Sequence, residues 1–514
     1  MINFKYQIIM KKLLSLLLAG AVMSTTLSCN DDENTMEPMI EGMQGPDILV
    51  YGLTENNELV SFNGNNTATF MSKTAVTGIT SGEKLMSIDF RPATGELYAL
   101  SNASKLYIIN TTTSVARPVS TTAFAPAISG SIASIDFNPT VDRIRLVSNT
   151  GQNLRLHPET GVTAFTDTSI ATTSSVSGIA YTNSTSGASS TILYDIDVTS
   201  KKLFKQDPPN NGTLVAVGDL GFSFTGQVAF DINPDNSVAL VAATNGTENS
   251  LYKTDLGTGA SVKIGKLSQK VIDLAIPTNP VAYAIDNANA LQIFNPNNPA
   301  QGLVTKAITG LQSGEGILGI DFRPLNGQLY ALGSKSMLYT INLGTGAASV
   351  VGTGTPFTPL LTGSEFGFDF NPTVDRIRVV SNTGQNLRLN PVDGTVASVD
   401  GAINPALSTL SAAAYTNNFT GATSTQLFVI DATTDKLYLQ DPPNNGTIVE
   451  KGSLGINITG ANGFDIGAKS QNAYLLASVG TENKIYMVNL ATGAATSSAT
   501  YPNPVKGFTI GLGF

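Results

Sequence analysis

The chain has 514 residues, which is long enough for two or more domains with large cores. It contains one cysteine, one histidine and no tryptophan, so an intramolecular disulfide, a thiolate metal cluster and a histidine-based metal site are excluded. The formal net charge is −9, and it falls to −12 without residues 1–28, which carry three lysines and no acid. That balance repels phosphate backbones and argues against a nucleic-acid partner.

The N-terminal segment, residues 1–28, is predicted to be a lipoprotein signal peptide. Lys11 and Lys12 precede an apolar run that is too short to span a bilayer comfortably, and a short polar stretch follows. Cys29 comes directly after a small residue, where a bacterial lipoprotein carries its lipid. The alternative is ordinary secretory cleavage that leaves a free cysteine. We therefore expect membrane attachment only through a lipid on Cys29.

Residues 29–46 are predicted to form a flexible acidic tether, because they carry acids and Gly-Pro but no hydrophobic periodicity. The acidic run that follows Cys29 resembles the export signal that sends lipoproteins of the Bacteroidota to the cell surface. The expected location is therefore the cell envelope, as an outer-membrane lipoprotein exposed at the surface.

The rest of the chain repeats itself. The string DFNPTVDRIR begins at Asp136 and again at Asp369, an offset of 233 residues. The strings DFRP and QDPPNNGT recur at offsets of 232 and 234 residues. So constant an offset predicts two duplicated domains, residues 47–279 and residues 280–514.

A shorter period lies inside each copy. In the first copy, strand-opening strings such as SIDFRP and AFDINP recur at intervals of 47, 44, 51 and 42 residues, the length of a four-stranded propeller blade. That copy begins with a second strand, ILVYGLT, and ends with a first strand, VIDLAI, so its two ends are expected to pair and close a circle. The predicted fold is all-β, with two tandem five-bladed β-propeller-like domains. One ten-bladed propeller is the alternative, because residues 277–280 suit a hairpin inside a single ring equally well.

Longer strings carry a family resemblance. FGFDFNPTVDRIRVVSNTGQNLRLNP and AAAYTNNFTGATSTQLFVID resemble a bacterial family of secreted repeats classed only as a domain of unknown function. The resemblance covers nearly all of residues 47–514. It implies an exported, propeller-like protein, and it supplies no reaction, ligand or catalytic residue.

The richest group of polar residues lies in the third blade of each copy. Arg143 and Arg145 alternate with apolar residues, so both side chains point to one face of their strand. Blade faces pack on neighbouring blades, so buried arginines there need carboxylate partners, and Asp136 and Asp142 are the nearest. We expect an arginine–aspartate network that holds blades together, with an anion- or sugar-binding cluster as the alternative. The network comprises Asp136, Asp142, Arg143, Arg145 and Arg155, and Asp369, Asp375, Arg376, Arg378 and Arg388.

The turn between the second and third strands of this blade is rich in side-chain amides. By analogy with other propellers, such turns lie on the face where ligands bind, and amides can hydrogen-bond sugar hydroxyls. Asn and Gly are also what a tight hairpin requires, so a purely structural role is the alternative. If a ligand binds here, the expected residues are Asn149, Gln152, Asn153, Asn382, Gln385 and Asn386.

No catalytic set emerges from the remaining residues. His157 has no partner motif, and the second copy places Asn390 there. Asp195 and Asp197 have the spacing of a calcium ligand pair, but Val429 replaces the first of them in the second copy. We expect no metal site and no cofactor. The leading interpretation is a monomeric, non-catalytic surface lipoprotein that binds a glycan or a surface protein. A carboxylate-dependent enzyme acting on polysaccharide and a structural envelope protein are the alternatives.

Overall fold

A computed structural model describes residues 44–171, 173–405, 409–459 and 462–514. The predicted signal peptide, Cys29 and almost all of the predicted tether lie outside these described residues. The described chain forms ten four-stranded antiparallel sheets, each of them one blade. None of the described residues belongs to a helix long and apolar enough to cross a membrane.

The first five blades are built from twenty strands. In chain order these are β1 (Leu49–Thr54), β2 (Glu58–Asn63), β3 (Ser72–Ala75), β4 (Leu85–Phe90), β5 (Leu97–Ser101), β6 (Lys105–Ile109), β7 (Ala116–Pro118), β8 (Ala133–Asn138), β9 (Arg143–Ser148), β10 (Asn153–Leu156), β11 (Thr163–Thr166), β12 (Val176–Tyr181), β13 (Leu193–Asp197), β14 (Lys202–Gln206), β15 (Leu214–Asp219), β16 (Ala229–Ile232), β17 (Ala239–Asn245), β18 (Glu248–Thr254), β19 (Ser261–Lys266) and β20 (Val271–Ala275).

The second five blades repeat this arrangement. Their strands are β21 (Ala282–Asp286), β22 (Ala290–Phe294), β23 (Val304–Ala307), β24 (Ile317–Arg323), β25 (Gln328–Gly333), β26 (Met337–Ile341), β27 (Ala348–Val350), β28 (Phe366–Asn371), β29 (Arg376–Ser381), β30 (Asn386–Leu389), β31 (Val396–Val399), β32 (Leu410–Tyr415), β33 (Leu427–Asp431), β34 (Lys436–Gln440), β35 (Ile448–Ser453), β36 (Asn462–Ile466), β37 (Ala473–Val479), β38 (Glu482–Val488), β39 (Ala495–Tyr501) and β40 (Val505–Ile510).

Each group of five blades closes into its own ring. Strand β20 pairs with β1, with Tyr51 opposite Ala275, and β40 pairs with β21, with Ala282 opposite Ile510. In the first ring the innermost strands β20, β4, β8, β12 and β16 contact one another in a cycle, and β40, β24, β28, β32 and β36 do the same in the second. The fold is therefore two five-bladed propellers, and the ten-bladed alternative is wrong. Closure turns the innermost edge of each blade toward the ring axis, so the outermost strand carries the edge that faces outward.

Apolar side chains between successive blades form the cores. In the first ring, Tyr98 of the second blade packs edge-on against Phe137 of the third, with ring centroids 5.0 Å apart. The second ring repeats the contact between Tyr330 and Phe370 at 5.1 Å. The inner three strands of a blade are mostly buried, whereas an outermost strand such as β3 is exposed. Blade-to-blade packing on both faces explains why the inner strands read as nearly continuous apolar runs.

The QDPPNNGT strings form turns, as their proline and asparagine content predicts. Each contains one turn of 3₁₀ helix, Pro209–Asn211 in the first ring and Pro443–Asn445 in the second. Gly212 ends the first of these turns with a φ of 62°, a left-handed conformation that favours glycine. These turns position the asparagine that bonds to the neighbouring blade.

Candidate functional site

A buried arginine connects the third blade of the first ring to the fourth. Arg145 on β9 is 1% exposed, and one nitrogen of its guanidinium donates to Asp167 Oδ2 at 2.6 Å and to Asn153 Oδ1 at 2.7 Å. The other nitrogens donate to the Tyr181 hydroxyl at 3.2 Å and to Asn210 Oδ1, in the 3₁₀ turn, at 2.7 Å. We call these five residues the blade clamp. It joins the two strings that recur most faithfully along the chain.

The second ring contains the same clamp. Arg378 is also 1% exposed and donates to the Tyr415 hydroxyl at 3.3 Å. Its other contacts are Asn386 Oδ1, Asp400 Oδ2 and Asn444 Oδ1, each at 2.7 Å. Two copies with matching partners indicate that the clamp holds blades together, since every nitrogen of a buried guanidinium needs an acceptor.

The carboxylate partners of the clamp are not those expected from the sequence. Asp136 and Asp142 are nearest in sequence to Arg145, but its partner is Asp167, which lies just beyond β11. Asp136 instead accepts the backbone N–H of Tyr181 at 2.9 Å. The two side chains do not meet because they point in different directions. Asp136 lies on the innermost strand and points toward the ring axis, whereas Arg145 lies one strand further out and reaches the loops of the next blade. Asp369 and Asp375 are likewise replaced by Asp400.

The other arginines of the predicted network have smaller roles. Arg155 donates to both oxygens of Asp167 at 2.8 Å and stacks on the ring of Phe165 at 4.1 Å. Arg388 donates to both oxygens of Asp400, at 2.8 and 2.9 Å. Arg143 and Arg376 each donate to the backbone carbonyl of the preceding residue rather than to a carboxylate.

The amide side chains predicted to bind a ligand lie in two different places. Asn153 is buried inside the clamp, where its Nδ2 donates to the carbonyls of Thr168 and Pro209 at 3.0 and 2.9 Å. Asn386 has the same position in the second ring, donating to the carbonyls of residues 401 and 443.

The other four amides hold the loop that precedes the blade. Asn149 Oδ1 accepts the backbone N–H groups of residues 131 and 132 at 3.1 and 3.2 Å, and Asn382 Oδ1 accepts that of residue 364 at 3.0 Å. Gln152 accepts from residue 129 and donates to residue 127, both at 2.9 Å, and Gln385 bonds residues 362 and 360 in the same way. A ligand here would have to exchange these bonds, so ligand binding at the turn stays a prediction.

Aspartates from several blades converge on the axis of the first ring. Asp89 Oδ2 accepts the N–H of Phe137 in the next blade at 2.7 Å, and Asp231 Oδ2 accepts that of Ile276 at 2.5 Å. One carboxylate oxygen from each of Asp89, Asp136 and Asp231 lies within 4.8 Å of the others. Burial raises the pKa of all three carboxyls, that of Asp231 to about 8.

The second ring has a matching axial group. Oxygens of Asp321, Asp369 and Asp465 approach one another to the same degree, and the Thr509 hydroxyl lies 3.0 Å from Asp321 Oδ1 and 2.9 Å from Asp465 Oδ2. Carboxylate oxygens at such spacing suit a hard cation such as Ca²⁺. Their contacts to backbone amides of the next blade give them a structural role as well. The sequence contained the signal, because each of these aspartates occupies the same place in a strand-opening string.

A second buried arginine lies where the rings meet. Arg91 donates to the two carboxylate oxygens of Asp142 at 2.9 and 2.5 Å and to Glu159 Oε1 at 3.1 Å. Its remaining nitrogen donates to the carbonyl of Gly327, in the second ring, at 3.1 Å. Burial raises the pKa of Glu159 to about 7 and lowers that of His157 to about 4. We call Arg91, Asp142 and Glu159 the junction cluster.

A cleft of about 530 Å³ opens beside this junction. The first ring contributes the start of β5 and the turn 110–113, and the second contributes the loop 417–421, the turn 468–471 and the segment after β40. Glu96 in its wall is paired with Arg117 at 2.9 Å, and Arg117 also donates to the carbonyls of Pro324 and Leu325 at 3.0 and 2.7 Å. Both charges are therefore satisfied within the wall.

Residues 58–275 and 290–509 match the family described as Domain of unknown function (DUF4394). The chain belongs to the DUF4394 family. The two matches fall one on each ring, and the family description gives no reaction and no ligand. None of the curated proteins matches the sequence.

Two solved structures resemble this DUF4394 chain. PorZ, a surface component of the type-IX secretion system of Porphyromonas gingivalis, is 15% identical with a TM-score of 0.23. The match covers 87% of this chain and 64% of that one. The extracellular domain of a proposed hybrid two-component system, BT4673 of B. thetaiotaomicron, is 14% identical with a TM-score of 0.24, covering 88% of this chain and 58% of that one. This chain thus spans less than two thirds of either protein, and at such TM-scores neither likeness bears on function.

The cleft is the feature of this DUF4394 chain that the sequence reasoning missed. Its walls come from segments more than 300 residues apart, and it exists only because the rings pack against each other. No motif marks it, because turns such as 110–113 read as ordinary hairpins. The one local signal was Phe419, a phenylalanine in a loop otherwise made of Thr, Asn and Gly where the first copy has Thr185.

Proposed function

We propose that this protein is a non-catalytic, surface-anchored lipoprotein that binds a glycan or a protein. The observation that carries the proposal is the cleft between the rings. Its volume of about 530 Å³ is within the range of ligand pockets, and both rings contribute to its walls. The anchor rests on the sequence alone, through Cys29 and the segment that precedes it.

The composition of the cleft favours binding over hydrolysis. Glycosidases of the common kinds need a pair of carboxyl groups across the scissile bond. Glu96 is the one carboxyl side chain among the residues lining the cleft, and it is occupied by Arg117 and by the Thr94 hydroxyl at 3.1 Å. A binding role requires no such pair.

The first test is a glycan array and a protein-partner screen with the mature chain carrying Cys29→Ser, run beside a polysaccharide hydrolysis assay. We expect saturable binding to a restricted set of ligands and no turnover. Release of reducing ends would favour the polysaccharide-acting enzyme. The absence of any ligand in both screens would favour a structural envelope protein.

The anchoring half of the proposal has its own test. Protease added to intact cells should cleave the wild-type protein, and Cys29→Ser should move it to a soluble fraction. Survival of the protein on intact cells, with digestion after lysis, would contradict surface display.

A further inference from the structure

Resting on the function proposed above, we propose that the cleft between the rings takes a short acidic saccharide, whose carboxylate binds the Lys469 ammonium while its apolar face packs on Phe419. The cleft contains an unpaired cation, an exposed aromatic ring and free hydrogen-bonding groups, and these are the three features that such a ligand needs. The first two come from the second ring and the third from the first ring, so the site requires both.

Lys469 supplies the charge. It lies in the turn between β36 and β37, where its backbone N–H donates to a main-chain oxygen of Phe514 at 2.8 Å. None of the hydrogen bonds and ion pairs among the described residues involves its ammonium. The surrounding protein partly desolvates this ammonium and lowers its pKa. Because Arg117 is paired with Glu96, Lys469 is the one cationic side chain lining the cleft that has no partner among the described residues.

Phe419 supplies the apolar surface. Its side chain is 37% exposed, and it lines the cleft in the loop between β32 and β33. Ligand sites combine aromatic side chains of this kind with a few convergent polar groups. A pyranose has an apolar face of C–H groups and an equatorial rim of hydroxyls, which matches a wall with an aromatic ring on one side and polar groups on the other.

The turn 110–113 supplies the polar groups. Asn110 Oδ1 is occupied by the backbone N–H groups of Thr112 and Thr113, at 2.9 and 3.0 Å, which leaves its Nδ2 free to donate. The hydroxyls of Thr111 and Thr112 have no partner among the described residues and line the cleft. Neutral donors and acceptors on a rigid turn suit sugar hydroxyls.

The type of cationic side chain that is free in the cleft favours a sugar with a carboxylate over a phosphorylated ligand. Phosphate recognition commonly uses an arginine fork, because two parallel N–H donors match two phosphate oxygens. The fork in this cleft, that of Arg117, already binds two carbonyls and Glu96. A lone ammonium acts as a point charge, which suits one carboxylate on an otherwise neutral ligand.

The test measures binding of digalacturonate, and of its neutral methyl ester, to the mature Cys29→Ser chain by calorimetry. Wild type should bind the acid at least about tenfold more tightly than the ester, because the hydrogen bond from an ammonium is stronger to a carboxylate than to a neutral ester. Lys469→Gln should abolish that preference, and Lys469→Arg should retain most of it. Phe419→Ala should weaken binding of both probes. Lys266→Gln, at an exposed lysine on β19, is the matched control and should change nothing.

Several outcomes would overturn the inference, and they differ from failure of the proposed function. Equal affinity for acid and ester, or undiminished binding by Lys469→Gln, would remove the charge anchor while leaving a binding protein. Binding of a glutamate-rich peptide but of no acidic saccharide on the array would change the ligand class. The absence of binding in every glycan and protein screen would reject the proposed function itself. Unchanged thermal unfolding of the lysine variants shows that any loss of binding is local.

Discussion

The two rings carry the same ion pair in two different environments. Arg91 and Asp142 of the first ring have side chains 0% and 9% exposed, because the second ring covers them. Their counterparts Arg323 and Asp375 have the same two-bond geometry, at 2.8 and 2.5 Å, but are 11% and 32% exposed. The duplicated sequence thus contains a buried and a partly solvated version of one interaction. Ring packing, and not the local string, decides how much that interaction contributes to stability.

The third member of the cluster differs for the same reason. Glu159 adds a second carboxylate to the covered arginine, whereas the second ring has Val392 at that place, exposed to solvent. A buried guanidinium benefits from additional acceptors, and a partly exposed one can use water. The two copies therefore differ in sequence at a place where the first ring faces the second.

The largest expected effect is on the free energy of unfolding, and it distinguishes the buried Arg91–Asp142 pair from the partly exposed Arg323–Asp375 pair. Arg91→Ala leaves Asp142 and Glu159 buried without their cation and should lower the free energy of unfolding by about 3–5 kcal/mol. Arg323→Ala leaves only the partly exposed Asp375, which can be hydrated, and should cost about 1 kcal/mol. Urea unfolding of both variants at neutral pH measures the difference. Equal losses would mean that the junction is solvated and that the rings move apart in solution.

The blade clamp gives the opposite expectation, because its two arginines are equally buried and have matching hydrogen-bond partners. Arg145→Ala and Arg378→Ala should each cost about 2–4 kcal/mol, since each removes the donor to two amide oxygens of the clamp while Asp167 and Asp400 keep their bonds from Arg155 and Arg388. The two losses should agree to within about 1 kcal/mol in the same urea experiment. A change near zero for either variant would indicate an exposed arginine and reopen the alternative of a ligand site there.

Asp195 offers a smaller effect that depends on pH. Both of its carboxylate oxygens are buried without a hydrogen-bond partner, and burial raises its pKa from 3.8 to about 8. The folded state keeps a proton that the unfolded state has released, so this group's stability is fully present below about pH 4 and is lost as the pH rises through about 8. Asp195→Val copies the second ring and should stabilise by about 1–3 kcal/mol at alkaline pH.

The measurement is urea unfolding of wild type and Asp195→Val at about pH 5 and about pH 8.5. The advantage of the variant should grow between these two values. The reverse change, Val429→Asp, is the matched control and should make the second ring lose stability over the same interval. If the advantage of Asp195→Val were the same at both pH values, a partner for this carboxyl would have to exist.

The smallest effect concerns the loop-holding amides. Gln152→Ala and Gln385→Ala each remove two hydrogen bonds to exposed backbone groups, which water can replace. Each should cost about 1 kcal/mol, equally in the two rings. A much larger loss in one ring would show that its loop has a further contact, and thermal unfolding of the two variants compares them.

The fold could be predicted from the sequence because its signals are periodic and local. The spacing of strands such as β4 and β8 indicated the blade length. The first copy begins with a second strand and ends with a first strand, which predicted that β20 would pair with β1. The prediction of two rings rather than one rested on the duplication alone, since residues 277–280 suit both arrangements, and the two closing pairs confirm it.

The site could be predicted less well. Burial of Arg145 follows from strand alternation, but its partners Asp167 and Asn210 lie 22 and 65 residues away, beyond any local pattern. In the sequence, the axial aspartates were apparent only as the recurring aspartate of the strand-opening strings, and nothing indicated that they come together. The cleft depends on the orientation of two rings, which no string of residues within one blade encodes.

Closure of each ring by its last strand imposes an order on folding. Tyr51 cannot meet Ala275 until almost the entire first copy has been synthesised, so the first blade waits for the fifth. Contacts between segments so distant in sequence make folding slow, and unpaired edges are exposed in the meantime. The first ring can nevertheless close before the second has emerged, because all of its strands precede residue 276. A chain arranged in this way can fold in two successive steps, each of which involves about half of its blades.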